Sequence, residues 1–283
     1  MSIKYLGFDV PVLLKDGSTK LSQYLEKSDI LLNSVGIIDV EITKDIIYKV
    51  IPRYGSSFTI GVKNKLDMEL VKTVADFPLN PIKIDPYFLG FCIGLKNYEN
   101  EQIVFDIKEI FEEIYNYLIS MIKHTNMKYT IEKNGYLKVT DCRIIDYFRF
   151  YGLFRERSIP ELYKYNKINF RYRLLGGILD AKGRYVDFGD GYFEITDDEN
   201  LIRDIDYIAK SVGLFTVLYK KDKYTLRIFG NNLCSIHSIL TKIEIIMPNP
   251  VCDFKVAPLL FDNRCVKLII SGENIALSDF TLI

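Results

Sequence analysis

Residues 172–184 read YRLLGGILDAKGR, an apolar run with two adjacent glycines at its centre. Glycine inside a helix costs roughly 1 kcal/mol relative to alanine, so a glycine pair requires a gain such as the close approach of another backbone. Residues 86–95, PYFLGFCIGL, offer a partner whose two glycines are one helical turn apart. Two ordinary buried helices with incidental glycines are the alternative. We predict that the two helices pack tightly along Gly90, Gly94, Gly176 and Gly177.

The composition is that of a folded protein without covalent cross-links. Of the 283 residues, 48% are hydrophobic and 13% aromatic, which is enough for a large core. The five cysteines include no C-x-x-C pair, which favours a reducing compartment over a disulfide framework or a zinc site. No apolar run approaches transmembrane length, and the first residues do not resemble a signal peptide. We expect a soluble intracellular protein of the cytoplasm or nucleus, with no membrane partner.

Charge is balanced over the whole chain but not within one segment. The 37 basic and 37 acidic residues give a formal net charge of zero, so overall charge does not predict a nucleic-acid partner. Between residues 142 and 184, however, ten basic residues stand against four acids. Such an excess is either a solvated face or a surface for a polyanion.

The pattern of the chain predicts an α+β fold with an interrupted β-domain. Residues 10–63 alternate apolar and polar positions between Gly, Pro and Asp, which is typical of short antiparallel strands. Residues 76–86 contain three prolines and read as a linker, and short strands return from residue 248. We predict that segments 1–82 and 245–283 form one β-domain and that segment 83–244 is inserted into it.

The inserted segment has an internal repeat of helix, hairpin, helix, hairpin, helix, of which the first half is a shortened copy. An Asn-Gly pair marks its first hairpin, and Thr196-Asp197-Asp198-Glu199 opens a helix that ends at Gly213. Asp141 is predicted to cap the helix that runs to about Tyr151. The predicted helices are 86–95, 105–124, 141–151, about 170–181, 199–213 and about 231–240.

Several of these segments resemble a known family. DPYFLGFCIGL and LLGGILDAKG resemble the two signature helices of LAGLIDADG homing endonucleases, in the single-chain form found inside inteins. RSIPE at residues 157–161 resembles the basic residue and Ile-Pro that precede the second signature. LGFDVPVLLKDGS, SFTIGVKNKL and SGENIALSDFTLI resemble parts of a Hint, or intein splicing, domain. The resemblance implies a discontinuous all-β Hint-like domain and a pseudo-symmetric two-repeat αββαββα domain with paired signature helices, in a monomer with an internal pseudo-two-fold axis.

The residues at the splicing positions of the resemblance do not suit splicing. The resemblance implies a nucleophilic Cys or Ser at the place of Tyr5 and a histidine at the place of Asn64. A phenol is a poor nucleophile for the acyl shift, and an amide cannot act as an acid or base at neutral pH. The chain also stops where the closing His-Asn would begin. We expect no splicing.

The nuclease positions are altered as well. The resemblance implies a metal-binding acid at the end of each signature helix, because Mg²⁺ prefers oxygen ligands. Those places are Leu95 and Lys182. Two unit charges 4 Å apart repel by about 4 kcal/mol at an intermediate dielectric, so an ammonium disfavours a divalent ion. We expect no metal and no cofactor, with Mg²⁺ only if nuclease activity survives through Asp180 and through Glu99 or Glu101.

Double-stranded DNA is the partner that the resemblance implies, since the two sheets of this family lie along the major groove. Ordinary solvent-facing side chains are the alternative. Besides Glu132 and Tyr192, the candidate contacts are Lys128, Lys138, Arg157, Lys182, Arg184, Lys220, Lys223 and Arg227.

We therefore expect a free-standing, degenerate intein-like protein, of viral or mobile-element character, that binds DNA without splicing or cleaving. Two other functions remain open at this stage. One is an active homing endonuclease with displaced metal ligands, and the other is a repurposed structural or protein-binding role with a protein partner.

Overall fold

The computed structural model describes residues 1–54, 56–64, 70–95, 98–99, 101–187, 191–220, 222–241, 253–259 and 264–283, the side chains of 98 and 99 excepted. The fold is mixed α+β with a large curled antiparallel sheet, as predicted at this level. The chain divides into two compact units. The first consists of Met1–Pro78, Ala209–Val217 and Met247–Ile283, and the second of Leu79–Ile208 and Leu218–Ile246.

The strands are β1 (Ser2–Gly7), β2 (Pro11–Leu13), β3 (Thr19–Leu21), β4 (Ile30–Leu31), β5 (Val35–Lys44), β6 (Ile47–Pro52), β7 (Phe58–Gly61), β8 (Val71–Lys72), β9 (Tyr98–Glu99), β10 (Gln102–Asp106), β11 (Tyr129–Ile131), β12 (Tyr136–Val139), β13 (Arg184–Val186), β14 (Tyr192–Asp197), β15 (Phe215–Lys220), β16 (Tyr224–Phe229), β17 (Phe254–Pro258), β18 (Arg264–Ile270) and β19 (Thr281–Leu282). The α-helices are α1 (Pro86–Leu95), α2 (Glu112–His124), α3 (Cys142–Phe150), α4 (Glu161–Lys164), α5 (Ile168–Lys182) and α6 (Glu199–Ser211). No helix within these described ranges combines the length and the apolar character needed to cross a bilayer.

The first unit is built on a seven-stranded sheet with the order β17-β6-β7-β1-β18-β5-β4. All of its pairings are antiparallel. The first strand β1 pairs along its whole length with β18, from Ser2 opposite Ile270 to Gly7 opposite Cys265. Leu6, Val266 and Leu268 on these strands are fully buried. Strands from the two ends of the sequence therefore share one core.

A buried ion pair anchors β8 to the last residues of the first unit. The Lys72 ammonium donates to the Asp279 carboxylate at 3.0 Å and to the Thr281 hydroxyl at 2.7 Å. Both charged side chains are almost fully buried. Burial by itself raises the pKa of the Asp279 carboxyl, but the Lys72 charge and the hydrogen bonds from Thr281 and Ser56 outweigh it, so the net pKa is lowered.

Breaking this pair by Lys72→Met is expected to lower the free energy of unfolding by about 3–5 kcal/mol, because Asp279 would keep a buried, uncompensated charge. The double variant Lys72→Met/Asp279→Asn should lose less than Lys72→Met alone. Denaturant titration measures both. Because the folded pKa of Asp279 is lowered, the pair's contribution is present above the unfolded carboxyl pKa of about 4 and is lost as pH falls below it.

The exposed pair between Lys27 and Asp39 is the matched control in the same unit. Lys27→Ala should change the free energy of unfolding by less than about 1 kcal/mol. Equal losses in Lys72→Met and Lys27→Ala would contradict the assignment of Lys72 as a structural anchor.

The same order of elements occurs twice between residues 86 and 229, a range that belongs to the second unit except for Ala209–Val217. A helix, two strands, a helix and two strands follow one another as α1-β9-β10-α2-β11-β12 and again as α5-β13-β14-α6-β15-β16. The sheets have the orders β11-β12-β10-β9 and β15-β16-β14-β13. If the four strands of each copy are numbered in chain order, both sheets have the strand order 3-4-2-1. The strand order of the two halves is therefore identical.

Helices α1 and α5 pack against each other through glycine. A Cβ atom added to Gly90 would lie 2.2 Å from the Leu174 carbonyl oxygen, and one added to Gly177 would lie 2.1 Å from the Tyr87 carbonyl oxygen. A Cβ atom added to Gly94 would lie 2.5 Å from the Cβ atom of Ala181. Gly176 differs from the prediction, because its neighbour is the His237 backbone rather than α1.

Local signals predicted several elements of this repeat correctly. Helix α1 has the predicted bounds, and Asp141 caps α3 by accepting a hydrogen bond from the Arg143 N–H. The hairpin between β11 and β12 turns at Gly135, whose φ is +94°. Helix α6 is followed by Gly213 with φ +80°, a left-handed conformation that ends helices.

Two predicted helices are wrong in extent. The helix predicted over 105–124 begins only at Glu112, and Phe105 and Asp106 belong to strand β10, in which burial alternates from residue to residue. The last predicted helix is only a 3₁₀ helix at Asn231–Ser235. Beyond it, the backbone N–H of Ile239 donates to the Asp180 carboxylate at 2.6 Å rather than to a helical carbonyl.

Gly90→Ala and Gly177→Ala are each expected to lower the free energy of unfolding by about 2–3 kcal/mol, although alanine is the better helix former. The added methyl would overlap a backbone atom that cannot move without separating the helices. Urea titration followed by circular dichroism measures the loss. Gly36→Ala is the control, since its nearest neighbour would be the Ser271 hydroxyl at 3.6 Å; an unchanged Gly177→Ala protein would contradict the packing argument.

Candidate functional site

A charged cleft of about 510 Å³ lies within the second unit, at the end of helix α5. Four basic and four acidic side chains line it, so the described lining is neutral overall. It is lined by Arg157, Lys182, Asp197, Asp198, Glu199, Lys220, Asp222, Lys223 and Tyr224.

Asp197, the last residue of β14, is the centre of this cleft. Its carboxylate accepts hydrogen bonds from the Lys182 ammonium and the Arg157 guanidinium. The side chains of Asp197 and Arg157 are 6% and 9% exposed, whereas that of Lys182 is 34% exposed. Burial by itself raises the pKa of Asp197, but Lys182 and Arg157 outweigh it and the net pKa is lowered. The carboxylate is therefore ionised and already neutralised by protein cations.

Arg157 also joins the cleft to the end of α1. Its Nη2 donates to the carbonyl oxygens of Ile93 and Gly94, at 2.8 and 3.0 Å. These two carbonyl groups lie in the last turn of α1, where they have no hydrogen-bond donor within the helix. Its Nε is buried and has no hydrogen-bond partner among the described residues. Arg157 therefore acts mainly as an internal bridge between α1 and Asp197.

Asp180 is engaged elsewhere. Its carboxylate accepts hydrogen bonds from the Tyr87 hydroxyl at 2.8 Å, the Ser238 hydroxyl at 2.5 Å and the Ile239 N–H. Burial, with the nearby Asp180 charge, raises the pKa of the Tyr87 hydroxyl, which keeps it protonated as a donor. Asp180 thus anchors the segment after β16 to the helix pair, and it is not among the residues lining the cleft.

The remaining candidates for a metal site do not converge. Leu95 ends α1 with a hydrocarbon side chain. Glu101 forms an ion pair with Arg149 at 2.8 Å, and the side chain of Glu99 lies outside the described residues. In the described ranges, no three His, Cys, Asp or Glu side chains are grouped as metal ligands. Cys252 also lies outside these ranges, and the four described cysteines are free thiols.

The predicted DNA contacts are distributed over both sheets and the cleft. Lys128 and Glu132 are exposed at the first sheet, and Lys138 is half-buried on β12. Lys220 and Lys223 are exposed at the cleft, where the Lys220 ammonium lies 5.0 Å from the centre of the Tyr224 ring. Arg157 and Lys182 are instead held in the cleft by Asp197.

Arg184 and Arg227 meet on the second sheet. Both donate to Glu194, at 3.1 and 2.9 Å, and the Tyr219 hydroxyl donates to the same carboxylate at 2.9 Å. The hydrogen bond from Arg227 lowers the pKa of Glu194, so this carboxylate is ionised. The Arg227 guanidinium also lies 5.1 Å from the ring centre of Tyr192. We call these five residues the Glu194 cluster.

The splicing positions of the resemblance lie together in the first unit. The Tyr5 N–H donates to the Asn64 side-chain oxygen at 2.8 Å, and the Asn64 amide donates back to the Tyr5 carbonyl oxygen at 2.6 Å. The Lys63 ammonium lies 5.4 Å from the centre of the Tyr5 ring. Asn64 therefore holds the backbone of β1 as a neighbouring strand would.

Sequence reasoning missed Asp197, Glu194 and Tyr219. The sequence places Asp197 in the start of α6, but it is Asp198 that caps this helix, by accepting a hydrogen bond from the Leu201 N–H. Because one aspartate is enough to cap a helix, the adjacent Asp197 was the signal in the sequence for a second role. Glu194 alternates with the buried Phe193 and Ile195, which predicts an outward side chain, but no local signal gives its partners.

The chain matches no protein-family model, and none of the curated proteins compared with it is detectably similar in sequence.

Arg157→Met is expected to lower the free energy of unfolding by about 3–5 kcal/mol, because it removes a buried partner of Asp197 and the donor to two helix-end carbonyls. Lys182→Met should cost about 1 kcal/mol or less, because Arg157 would still pair with Asp197 and Lys182 is partly exposed. Guanidinium titration of both variants tests the order. A larger loss in Lys182→Met would contradict the role of Arg157 as the main bridge.

Proposed function

We propose that this chain is a LAGLIDADG homing-endonuclease-like protein, carried by a discontinuous Hint-like β unit, that binds double-stranded DNA without metal-dependent cleavage or splicing. The observation that carries the proposal is the repeated strand order of the second unit, with its two copies joined by the glycine contacts of α1 and α5. The signature-like segments of the sequence are these same two helices. The repeated strand order and the contact between these helices therefore support the proposal.

The residues at the helix ends do not fit a divalent cation. Leu95 offers no oxygen ligand, and Lys182 offers an ammonium that is paired with the Asp197 carboxylate. A cation entering beside Lys182 and Arg157 would meet two positive charges at short range. The ammonium and guanidinium already stabilise Asp197 as an ion would, so we propose no metal-dependent step.

Loss of splicing follows from the pair of Tyr5 and Asn64. Neither side chain supplies a thiol, a hydroxyl of adequate nucleophilicity or an imidazole. Their mutual backbone and amide hydrogen bonds stabilise β1 instead of activating a peptide bond. This arrangement supports a structural role for the former splicing positions.

DNA binding is supported by the open faces of the two sheets. On β12, Lys138 lies between the buried Leu137 and Val139. On β16, Arg227 lies between the buried Leu226 and Ile228, and Arg184 and Arg227 are both opposite Glu194 on the second sheet. Lysine and arginine on an accessible β surface suit phosphate and base-edge contacts. The alternative of an active nuclease is disfavoured because Asp180, the candidate replacement ligand, is held by Tyr87, Ser238 and Ile239.

The wild-type chain is expected to bind mixed-sequence duplex DNA with an affinity that falls steeply with salt, because each neutralised phosphate contributes about −0.9 to the slope of log affinity against log salt. Fluorescence anisotropy across a salt series measures this slope. In the same buffers with Mg²⁺ or Mn²⁺, supercoiled plasmid should remain uncut.

Two outcomes would reject this function. Binding that is absent even at low salt would favour the structural or protein-binding role. Plasmid nicking that requires Mg²⁺ and disappears in Asp180→Asn would establish the displaced-ligand nuclease. Asp146→Asn is the control, because Asp146 is an exposed acid that pairs with Arg149 and is not a candidate metal ligand.

A further inference from the structure

The two sheets of the second unit have the same strand order but carry different chemistry on their open faces. On the first sheet, Lys138 lies opposite Val104 and Thr130, and Lys128 precedes β11. On the second sheet, the corresponding surface carries the Glu194 cluster, with two arginines and two tyrosines. The two sheets therefore share one topology, but the first presents flexible ammonium groups and the second presents guanidinium groups that are held by Glu194.

The Glu194 cluster holds its arginines in place without hiding them. Glu194 is 17% exposed, whereas Arg184 and Arg227 are 73% and 45% exposed. The Arg227 guanidinium lies near both tyrosine rings, 5.1 Å from Tyr192 and 5.2 Å from Tyr219. One carboxylate against two guanidiniums leaves an outward excess of positive charge. The cluster therefore presents preorganised cations to solvent.

Such an arrangement suits a ligand that offers both negative charge and paired hydrogen-bond acceptors. A guanidinium presents a rigid fork that matches the O6 and N7 atoms of guanine, as well as a phosphate. A side chain already fixed by stacking and a carboxylate loses less conformational entropy on binding. Lysine, with a flexible stem, binds phosphate mainly as a point charge and carries less geometric information.

We propose that the two sheets divide the recognition of DNA, the Glu194 cluster reading guanine through Arg227 while Lys138 and Lys128 contribute sequence-independent phosphate contacts. This inference rests on the proposed DNA-binding function and deepens it. It assigns sequence preference to the second copy of the repeat alone. The first copy then adds affinity that depends on salt.

The test is selection from a randomised duplex pool, followed by affinity measurements on the enriched duplex at several salt concentrations. Wild-type protein should enrich a motif that contains guanine. Arg227→Ala should bind that duplex about 5- to 150-fold more weakly and lose the preference at one position, which is the range expected for a bidentate base contact. Lys138→Ala should keep the motif and reduce the salt slope by about 0.9.

Two further variants separate recognition from charge and folding. Arg227→Lys keeps the charge but lacks the fork, so it should lose the guanine preference while retaining the salt slope. Arg203→Ala is the matched control, because Arg203 is an exposed arginine that also pairs with a carboxylate, Glu199, on helix α6. Its affinity should stay within about twofold of wild type.

The outcomes distinguish this inference from the function on which it rests. A protein that binds DNA but enriches no motif, or whose motif survives Arg227→Lys, overturns the division between the sheets and leaves DNA binding intact. Loss of the motif in Lys138→Ala overturns it equally. A wild-type protein that binds no duplex overturns the proposed function and this inference together.

Discussion

The second unit depends on the short distance between the backbones of α1 and α5. Gly90 and Gly177 leave room for the carbonyl groups of Leu174 and Tyr87, where any side chain would overlap them. This contact brings the ends of both helices near Arg157, which donates to the end of α1 and pairs with Asp197. The cleft at the end of α5 is therefore connected to the glycine contact through Arg157.

Electrostatic pairing has opposite consequences at different depths. In the cleft, Arg157 and Lys182 neutralise a buried carboxylate, so the charges serve the fold and offer little to a ligand. Lys72 and Asp279 do the same in the first unit. At the Glu194 cluster, the acid is largely covered and the arginines are exposed, so pairing orients cations that remain accessible. Burial, rather than the number of charged residues, separates structural pairs from the candidate DNA surface.

Local signals predicted elements whose cause is local. The Asn-Gly turn, the Asp141 cap and the glycine after α6 each act within a few residues, and all three are present. The predicted start of α2 was wrong because Phe105 and Asp106 fit the hydrophobic periodicity of a helix as well as that of a strand. Their pairing with β12 places them in strand β10. The helix predicted near Asn231–Leu240 stopped early because Asp180, about sixty residues away in sequence, binds its N–H groups.

The sequence by itself determined the glycine-rich helices, the repeat, and the presence of Leu95 and Lys182 at the helix ends. Tertiary structure decided which atoms these residues meet: Asp197 for Lys182, the His237 backbone for Gly176, Tyr5 for Asn64 and β18 for β1. A periodic pattern specifies which side of an element is buried, but many segments share the same pattern. Partners distant in sequence are selected only when the whole chain packs, because their contacts depend on geometry that no local window contains.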